Sequence, residues 1–263
     1  VICMSQYVRW HEKIMSKLNS GEPLLGAWIT ISHPEVVEIL SNMPFDWFVF
    51  DMEHAPLITR DVEELLMVLK GSNIVPFARV AWNDPVLVKL ALDLGVAGVV
   101  IPWVNTKEEA ERAVKAVRYP PAGIRGVGPR RCVNYGLQDV VEYFHRWNEI
   151  ATLIVQIETK EGYENLEDIL ATEGVSGIFV GPADLSASLG CFGRTDSHEF
   201  MNILKDIAER ARRHDRKIIG IIAETPEFTR MFIDMGYNFI SLSQDTRYLV
   251  KGAELYLRVA RQR

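Results

Sequence analysis

The sequence predicts an α/β protein, a (β/α)8 barrel of the TIM type with one extra helix ahead of its first strand. Three observations predict it. Short apolar runs alternate with amphipathic stretches along the chain, eight such units fit end to end, and polar residues gather just after the apolar runs. A closed parallel sheet covered by helices buries both faces of each strand, so its strands read as continuous Val, Ile and Phe rather than as alternation. Its chemistry sits at the carboxyl ends of those strands.

Taken in order, Ser5–Leu18 is an amphipathic helix before the barrel. The strands are Leu24–Ile29, Trp47–Asp51, Val75–Val80, Gly98–Ile101, Thr152–Ile157, Gly177–Val180, Lys217–Ile222 and Asn238–Leu242. The clearest helix is Asp84–Leu94, where Val86, Leu87, Leu90, Ala91 and Leu94 recur at three and four residues behind an Asp-Pro start. Thr59–Lys70, Thr106–Val117, Asp196–His214, Thr225–Met235 and Asp245–Gln262 carry the same period. The pattern alone does not separate a closed sheet from a doubly wound open one. No G-x-G-x-x-G follows the first strand, which weakens a dinucleotide-binding reading. The longest break, 119–137, is either the loop after the fourth strand and helix or an insertion covering the site. No linker or repeat splits the chain, so residues 1–263 form one barrel domain.

Composition agrees. Of 263 residues 48% are hydrophobic and 24% charged, enough apolar material to offset the entropy of ordering. The net charge of −6 offers no broad basic footprint for nucleic acid. Three scattered cysteines (Cys3, Cys132, Cys191) make no disulfide framework and read as reduced thiols of a cytoplasmic protein. The opening residues lack the basic start and apolar core of a secretory signal, and no apolar run approaches the ~20 residues of a membrane span.

The polar residues at the strand ends carry the functional signal. Strand two ends in Asp51-Met52-Glu53-His54, strand three carries Arg79, strand five ends in Gln156-Ile157-Glu158, and strand six runs into Gly181-Pro182-Ala183-Asp184. Glu158 and Asp184 end consecutive parallel strands, which lie about 4.8 Å apart, so their carboxylates can meet on one ion. Two carboxylates with a Gln nearby favour Mg2+ or Mn2+, with coordination positions left for substrate and water. The same acids also suit salt bridges to loop arginines or helix caps. A histidine in the position of His54 suits acid–base work, although an isolated His is more often structural. Arg79 sits inside an apolar strand and needs an anion, either Asp51 one strand away or a substrate oxygen. The Gly181–Asp184 turn opens a short helical stretch whose N–H groups suit a carboxylate.

These segments together resemble the HpcH/HpaI family of metal-dependent pyruvate aldolases. The stretches that carry the resemblance are Phe45-Asp-Trp-Phe-Val-Phe-Asp-Met-Glu-His-Ala-Pro56, Ala78-Arg-Val-Ala-Trp-Asn-Asp-Pro85, Arg118-Tyr-Pro-Pro-Ala-Gly-Ile-Arg-Gly-Val-Gly128, Gln156-Ile-Glu158 and Gly177-Ile-Phe-Val-Gly-Pro-Ala-Asp-Leu-Ser186. The resemblance as a whole runs in order from about residue 21 to the C-terminus. The resemblance implies a lyase that reversibly cleaves a 4-hydroxy-2-oxo acid to pyruvate and an aldehyde through a metal-stabilised enolate. It implies Glu158 and Asp184 as ligands of a divalent metal (Mg2+ or Mn2+, with Co2+ as a substitute), Gln156 beside it, and no organic cofactor. Gly181, Pro182, Ala183 and Asp184 would bind the pyruvate carboxylate. Arg79, held by Asp51, would stabilise the enolate oxygen, and His54 would remove the 4-hydroxyl proton. An Asp matching Asp93 would reach this His from a neighbouring subunit, making the protein a homo-oligomer, a hexamer in the family's usual form.

An imine-forming aldolase needs a lysine near a strand end. Lys217 sits at the wrong end of its strand and Lys160 in a loop, so that route is set aside. Arg131 and Tyr135, in the variable segment 129–136, are either part of the aldehyde pocket or surface loop residues. Two rival readings remain: an oxaloacetate decarboxylase or macrophomate-synthase-like enolate-transfer enzyme on the same site, and a catalytically dead barrel used as a binding subunit.

Overall fold

A computed structural model of the chain describes residues 4–215 and 217–261. Cys3 and Gln262, the expected end of the last helix, lie outside the described residues. Eight parallel strands close in chain order: β1 (Leu24–Ile29), β2 (Trp47–Asp51), β3 (Val75–Arg79), β4 (Gly98–Ile101), β5 (Thr152–Ile157), β6 (Gly177–Val180), β7 (Ile218–Ile222) and β8 (Phe239–Gln244). The expected open-sheet competitor is thereby excluded. Strand limits depart from the sequence reading by two residues at most. β8 runs on to Gln244 because Asp245 locks the seam, accepting the Thr30 and Ile31 backbone N–H groups at 2.8 Å each.

The barrel is filled by aromatic rings. Trp47 stacks on Phe239 at 3.9 Å, and Phe77 and Phe179 meet Phe239 edge-on. The Trp47 indole lies where a Cβ on Gly26 would stand, 2.0 Å away, so only glycine fits opposite it in β1. Helix α1 (Met4–Ser20) buries Tyr7, Trp10 and Ile14. Lys13 and Lys17 clamp it to Asp46, at 3.1 and 2.9 Å, just before β2.

The outer helices are α2 (Pro34–Ser41), α3 (Thr59–Val68), α4 (Pro85–Asp93), α5 (Lys107–Val117), α6 (Val140–Ile150), α7 (Lys160–Glu164), α8 (Leu166–Ala171), α9 (Pro182–Ser188), α10 (His198–Ala211), α11 (Pro226–Met235) and α12 (Asp245–Arg261). The Asp-Pro start of α4 is a true cap, with Asp84 accepting from the Val86 and Leu87 N–H groups. The sequence reading named neither α2 nor α6, although Tyr143, Trp147 and Ile150 bury one face of α6. It also passed over α7 and α8, which at five and six residues are too short to show a period.

Helices run antiparallel to the strands they cover. The break at 119–137 follows the end of α5, so it lies at the strand-start face, opposite the strand ends. It is therefore the loop after the fourth strand and helix and does not cover the site. Within it a 3-10 turn spans Arg131–Gly136.

Candidate active site

Register brings the first pair together. Asp51 and Arg79 are direct neighbours at the ends of β2 and β3. The Arg79 guanidinium grips Asp51 with two bonds, Nε to Oδ1 at 2.9 Å and Nη2 to Oδ2 at 2.7 Å. Its Nη1 faces Glu53 Oε2 at 3.1 Å and donates to Gln156 Oε1 at 3.4 Å. The Trp28 ring packs flat against the same cation, 4.4 Å from centroid to Cζ, and Phe179 braces Trp28 edge-on. Arg79 therefore has its Asp51 partner, and a fixed guanidinium with one nitrogen turned toward the strand-end acids.

Asp51 also shapes the turn after β2. Its Oδ1 accepts the Glu53 N–H at 3.0 Å and the His54 N–H at 3.2 Å. That turn leaves His54 64% exposed at the rim, its Nε2 4.0 Å from Glu53 Oε1.

The acids converge on the next strands. Glu158 is 2% exposed; its Oε1 accepts the Trp103 N–H at 2.7 Å and its Oε2 accepts from Gln156 Nε2 at 3.0 Å. Gln156 thus links Arg79 to Glu158. Burial pushes the Glu158 carboxyl up to about 7 against the pull of the Trp103 N–H, and the like charges of Glu53 and Asp184 add to the rise. Burial likewise raises Glu53, opposed by Arg79 and His54 and reinforced by Asp51 and Asp184. Gly181 begins the β6 turn against this cluster, where a Cβ would fall 2.8 Å from Glu158 Oε2.

This arrangement fits a divalent cation. Glu158, just after β5, and Asp184, in the turn after β6, lie close enough for their like charges to act on one another, and both offer oxygen donors, as a hard ion prefers. Among the described residues no group of three or more His, Cys, Asp or Glu is placed to hold a metal by itself. Glu158 and Asp184 are the pair that would hold such an ion.

A cavity of about 450 Å³ opens above, lined by Asp51, His54, Arg79, Gln156 and the Gly181–Asp184 turn. Phe192, Thr195, Phe228 and Phe232 also line it. Arg131 and Tyr135 do not belong to it. They line a separate cavity of about 280 Å³ at the strand-start face, where Arg131 donates to the Leu94 carbonyl at 2.7 Å. Within one chain these two therefore lie away from the site cavity, because a loop that follows a helix emerges at the far face. Asp93, the last residue of α4, lies toward that same face and pairs with Arg125 at 2.7 Å. One chain therefore does not bring Asp93 to His54. Lys217 likewise sits at a strand start and donates to the Val175 carbonyl. Glu53, Trp28 and the Trp103 N–H are site members that the sequence reading gave no role.

Fold and site define a class: a (β/α)8 barrel whose strand ends set carboxylates, one arginine and one histidine around a small cavity. The sequence profile of the HpcH/HpaI aldolase/citrate lyase family matches residues 24–252. The chain is 41% identical over 233 residues to 5-keto-4-deoxy-D-glucarate aldolase of Escherichia coli, covering 89% of this chain and 90% of that one. Its fold is similar to the crystal structure of an HpcH/HpaI aldolase/citrate lyase family protein from Burkholderia cenocepacia, at TM-score 0.89 and 32% identity over 94% and 98% of the two chains. It is also similar to an HpcH/HpaI aldolase from Desulfitobacterium hafniense, at TM-score 0.87 and 26% identity over 94% and 96%. The chain belongs to the HpcH/HpaI aldolase/citrate lyase family and is a carbon–carbon lyase of the aldolase class. No helix among the described residues is long and apolar enough to cross a membrane.

Proposed function

We propose that this chain is a cytoplasmic aldolase dependent on Mg2+ or Mn2+ that cleaves a 4-hydroxy-2-oxo acid to pyruvate and an aldehyde. The single observation that carries this reading is the Asp51–Arg79–Gln156–Glu158 chain, which ties one guanidinium to the buried acid at the β5 end. Cleavage of the C3–C4 bond leaves negative charge on the 2-oxo oxygen. Glu158 and Asp184 would hold a divalent cation, which would supply positive charge to offset the developing enolate. Arg79 supplies a second, pre-oriented charge whose direction Asp51 and Trp28 fix before substrate arrives. The Gly181–Asp184 turn receives the carboxylate. His54, at the rim on the side where the acceptor half leaves, takes the 4-hydroxyl proton.

His54 would be completed by Asp93 of a second copy, in a homo-oligomer, as a hexamer. Helix α12 supports assembly: Leu249, Leu255, Leu257 and Val259 are all more than half exposed on it. So does α4, which exposes Val86 and Leu90 on the side that ends at Asp93.

The test is a screen of 4-hydroxy-2-oxo acids for pyruvate release, with Mg2+, Mn2+, Co2+ or none. Metal-stimulated release from at least one acid is expected, abolished in Glu158→Ala and Asp184→Ala. Full activity in excess EDTA would overturn the metal assignment. Release of CO2 from oxaloacetate far above all retro-aldol turnover would make decarboxylation the main activity.

A further inference from the structure

The segment Arg118–Gly128, part of the family resemblance, has no role in the site described above. Its backbone folds back on α5, with the Ile124 N–H on the Lys115 carbonyl at 2.7 Å and the Arg125 N–H on the Arg118 carbonyl at 3.0 Å. Gly123 allows that return, since a Cβ there would stand 2.2 Å from the Arg118 carbonyl oxygen. The turn drives Arg125 inward until its side chain has no exposed surface. The guanidinium then lies among aromatic faces, 4.5 Å from the Tyr119 centroid and 4.7 Å from that of Trp147.

Packing alone does not call for a charge in that box, because an apolar side chain of similar size fills such a space at no greater free-energy cost. What the charge does there is directional. Arg125 Nη2 donates to Asp93 Oδ1 at 2.7 Å, Nη1 has only a long bond to the Tyr143 hydroxyl at 3.4 Å, and Nε has no hydrogen-bond partner among the described residues. Its strong bond is thus spent on one acid. That acid occupies the last residue of α4, the negative end of the helix dipole, where a carboxylate is disfavoured without a cation. The Asp93 side chain keeps 22% of its surface open beside the buried arginine.

We propose that Arg125 is a positioning residue. It fixes the orientation of the Asp93 carboxylate at the molecular surface, ready to hold His54 of a second copy. This rests on the reading that Asp93 completes the site across subunits, and the test separates the two.

Retro-aldol cleavage and oxaloacetate decarboxylation are measured with Mg2+ for Asp93→Asn, Arg125→Met, Arg125→Lys and the Asp93→Asn/Arg125→Met pair, with oligomeric mass followed by light scattering. Both Asp93→Asn and Arg125→Met should lower kcat for cleavage at least tenfold, with KM and decarboxylation within threefold of the parent. The double variant should be no slower than the slower single, and Arg125→Lys, which keeps a charge and a donor, should recover part of the loss. A loss in Asp93→Asn that none of the Arg125 variants shares overturns the role of Arg125 and leaves that of Asp93 standing. Parent-like cleavage by Asp93→Asn overturns the cross-subunit reading itself. Should Arg125→Met fail to fold, Arg125→Lys carries the test: parent kcat in that variant, or equal losses of cleavage and decarboxylation, refutes the proposal.

Discussion

Replacing Gly181 with Ala puts one methyl group into the acid cluster. The backbone at this position, φ −94° and ψ 92°, accepts an L-residue, so any effect comes from the side chain. The new Cβ would lie 2.8 Å from Glu158 Oε2, 3.1 Å from Glu158 Cβ and 3.6 Å from Gln156 Nε2. Glu158 has little room to yield, because the Trp103 N–H holds one oxygen at 2.7 Å and Gln156 holds the other at 3.0 Å. Moving it sacrifices a hydrogen bond to a charged group, about 1.5–3 kcal/mol, or leaves overpacking of about 1–3 kcal/mol. Either way a cost of ~1–3 kcal/mol, felt in the site, is roughly 5- to 150-fold in kcat/KM at about 1.36 kcal/mol per decade. The assay is continuous pyruvate release across a Mn2+ titration, beside a thermal melt. Loss of kcat/KM with a higher half-saturating Mn2+ concentration and a melt only a few degrees lower is the expected result. A kcat/KM within threefold of the parent, at unchanged Mn2+ half-saturation, would refute the placement of Glu158 beside the reacting atoms.

Asp51→Asn should cost about 100-fold in kcat, because the amide cannot hold Arg79 at both oxygens as the carboxylate does at 2.9 and 2.7 Å; steady-state kinetics with intact secondary structure by circular dichroism checks it. His54→Ala should slow aldol cleavage at least tenfold more than oxaloacetate decarboxylation, since only cleavage requires removal of the hydroxyl proton; equal losses would contradict its role as base. Asp46→Asn should destabilise by about 2 kcal/mol at pH 7, after allowance for solvent screening. Burial alone would raise the Asp46 carboxyl, but the Leu25 N–H, Lys17 and Lys13 together hold it below its usual range. Its contribution is therefore complete above about pH 4 and lost as pH falls through the lowered folded-state value. Urea unfolding should show the gap between parent and variant at pH 7 and its narrowing near pH 3.

The strands were legible because β2, β4, β5 and β6 are buried along their whole length, so burial writes an unbroken apolar run. Asp51, Arg79, Gln156 and Glu158 stood out for the same reason, as polar residues in or just beyond such runs. Glu53 was visible in the Asp51–His54 string, but its role depends on the Asp51–Arg79 register, which no local pattern reveals. Trp28 reads as one more core aromatic until the fold sets it against Arg79. The Trp103 N–H has no sequence signal at all, because every residue but proline carries one. Arg131 and Tyr135 were left open between pocket and surface, and helix direction puts their segment at the far face of its own chain.

The charge balance of the site argues for its cation independently of any relative. Asp51, Glu53, Glu158 and Asp184 act on one another or on Arg79, the one permanently charged cation among the described residues lining the cavity. Two of Arg79's nitrogens are committed to Asp51, so its charge does not neutralise the other three acids. An anionic 2-oxo acid entering that cavity would meet net repulsion in a partly desolvated space, where unbalanced charge is most costly. A single divalent ion held by Glu158 and Asp184 would offset that repulsion, while Asp51 and Glu53 keep Arg79 in place. The excess of acids that would otherwise repel the substrate is thus a reason to expect a divalent cation in this cavity.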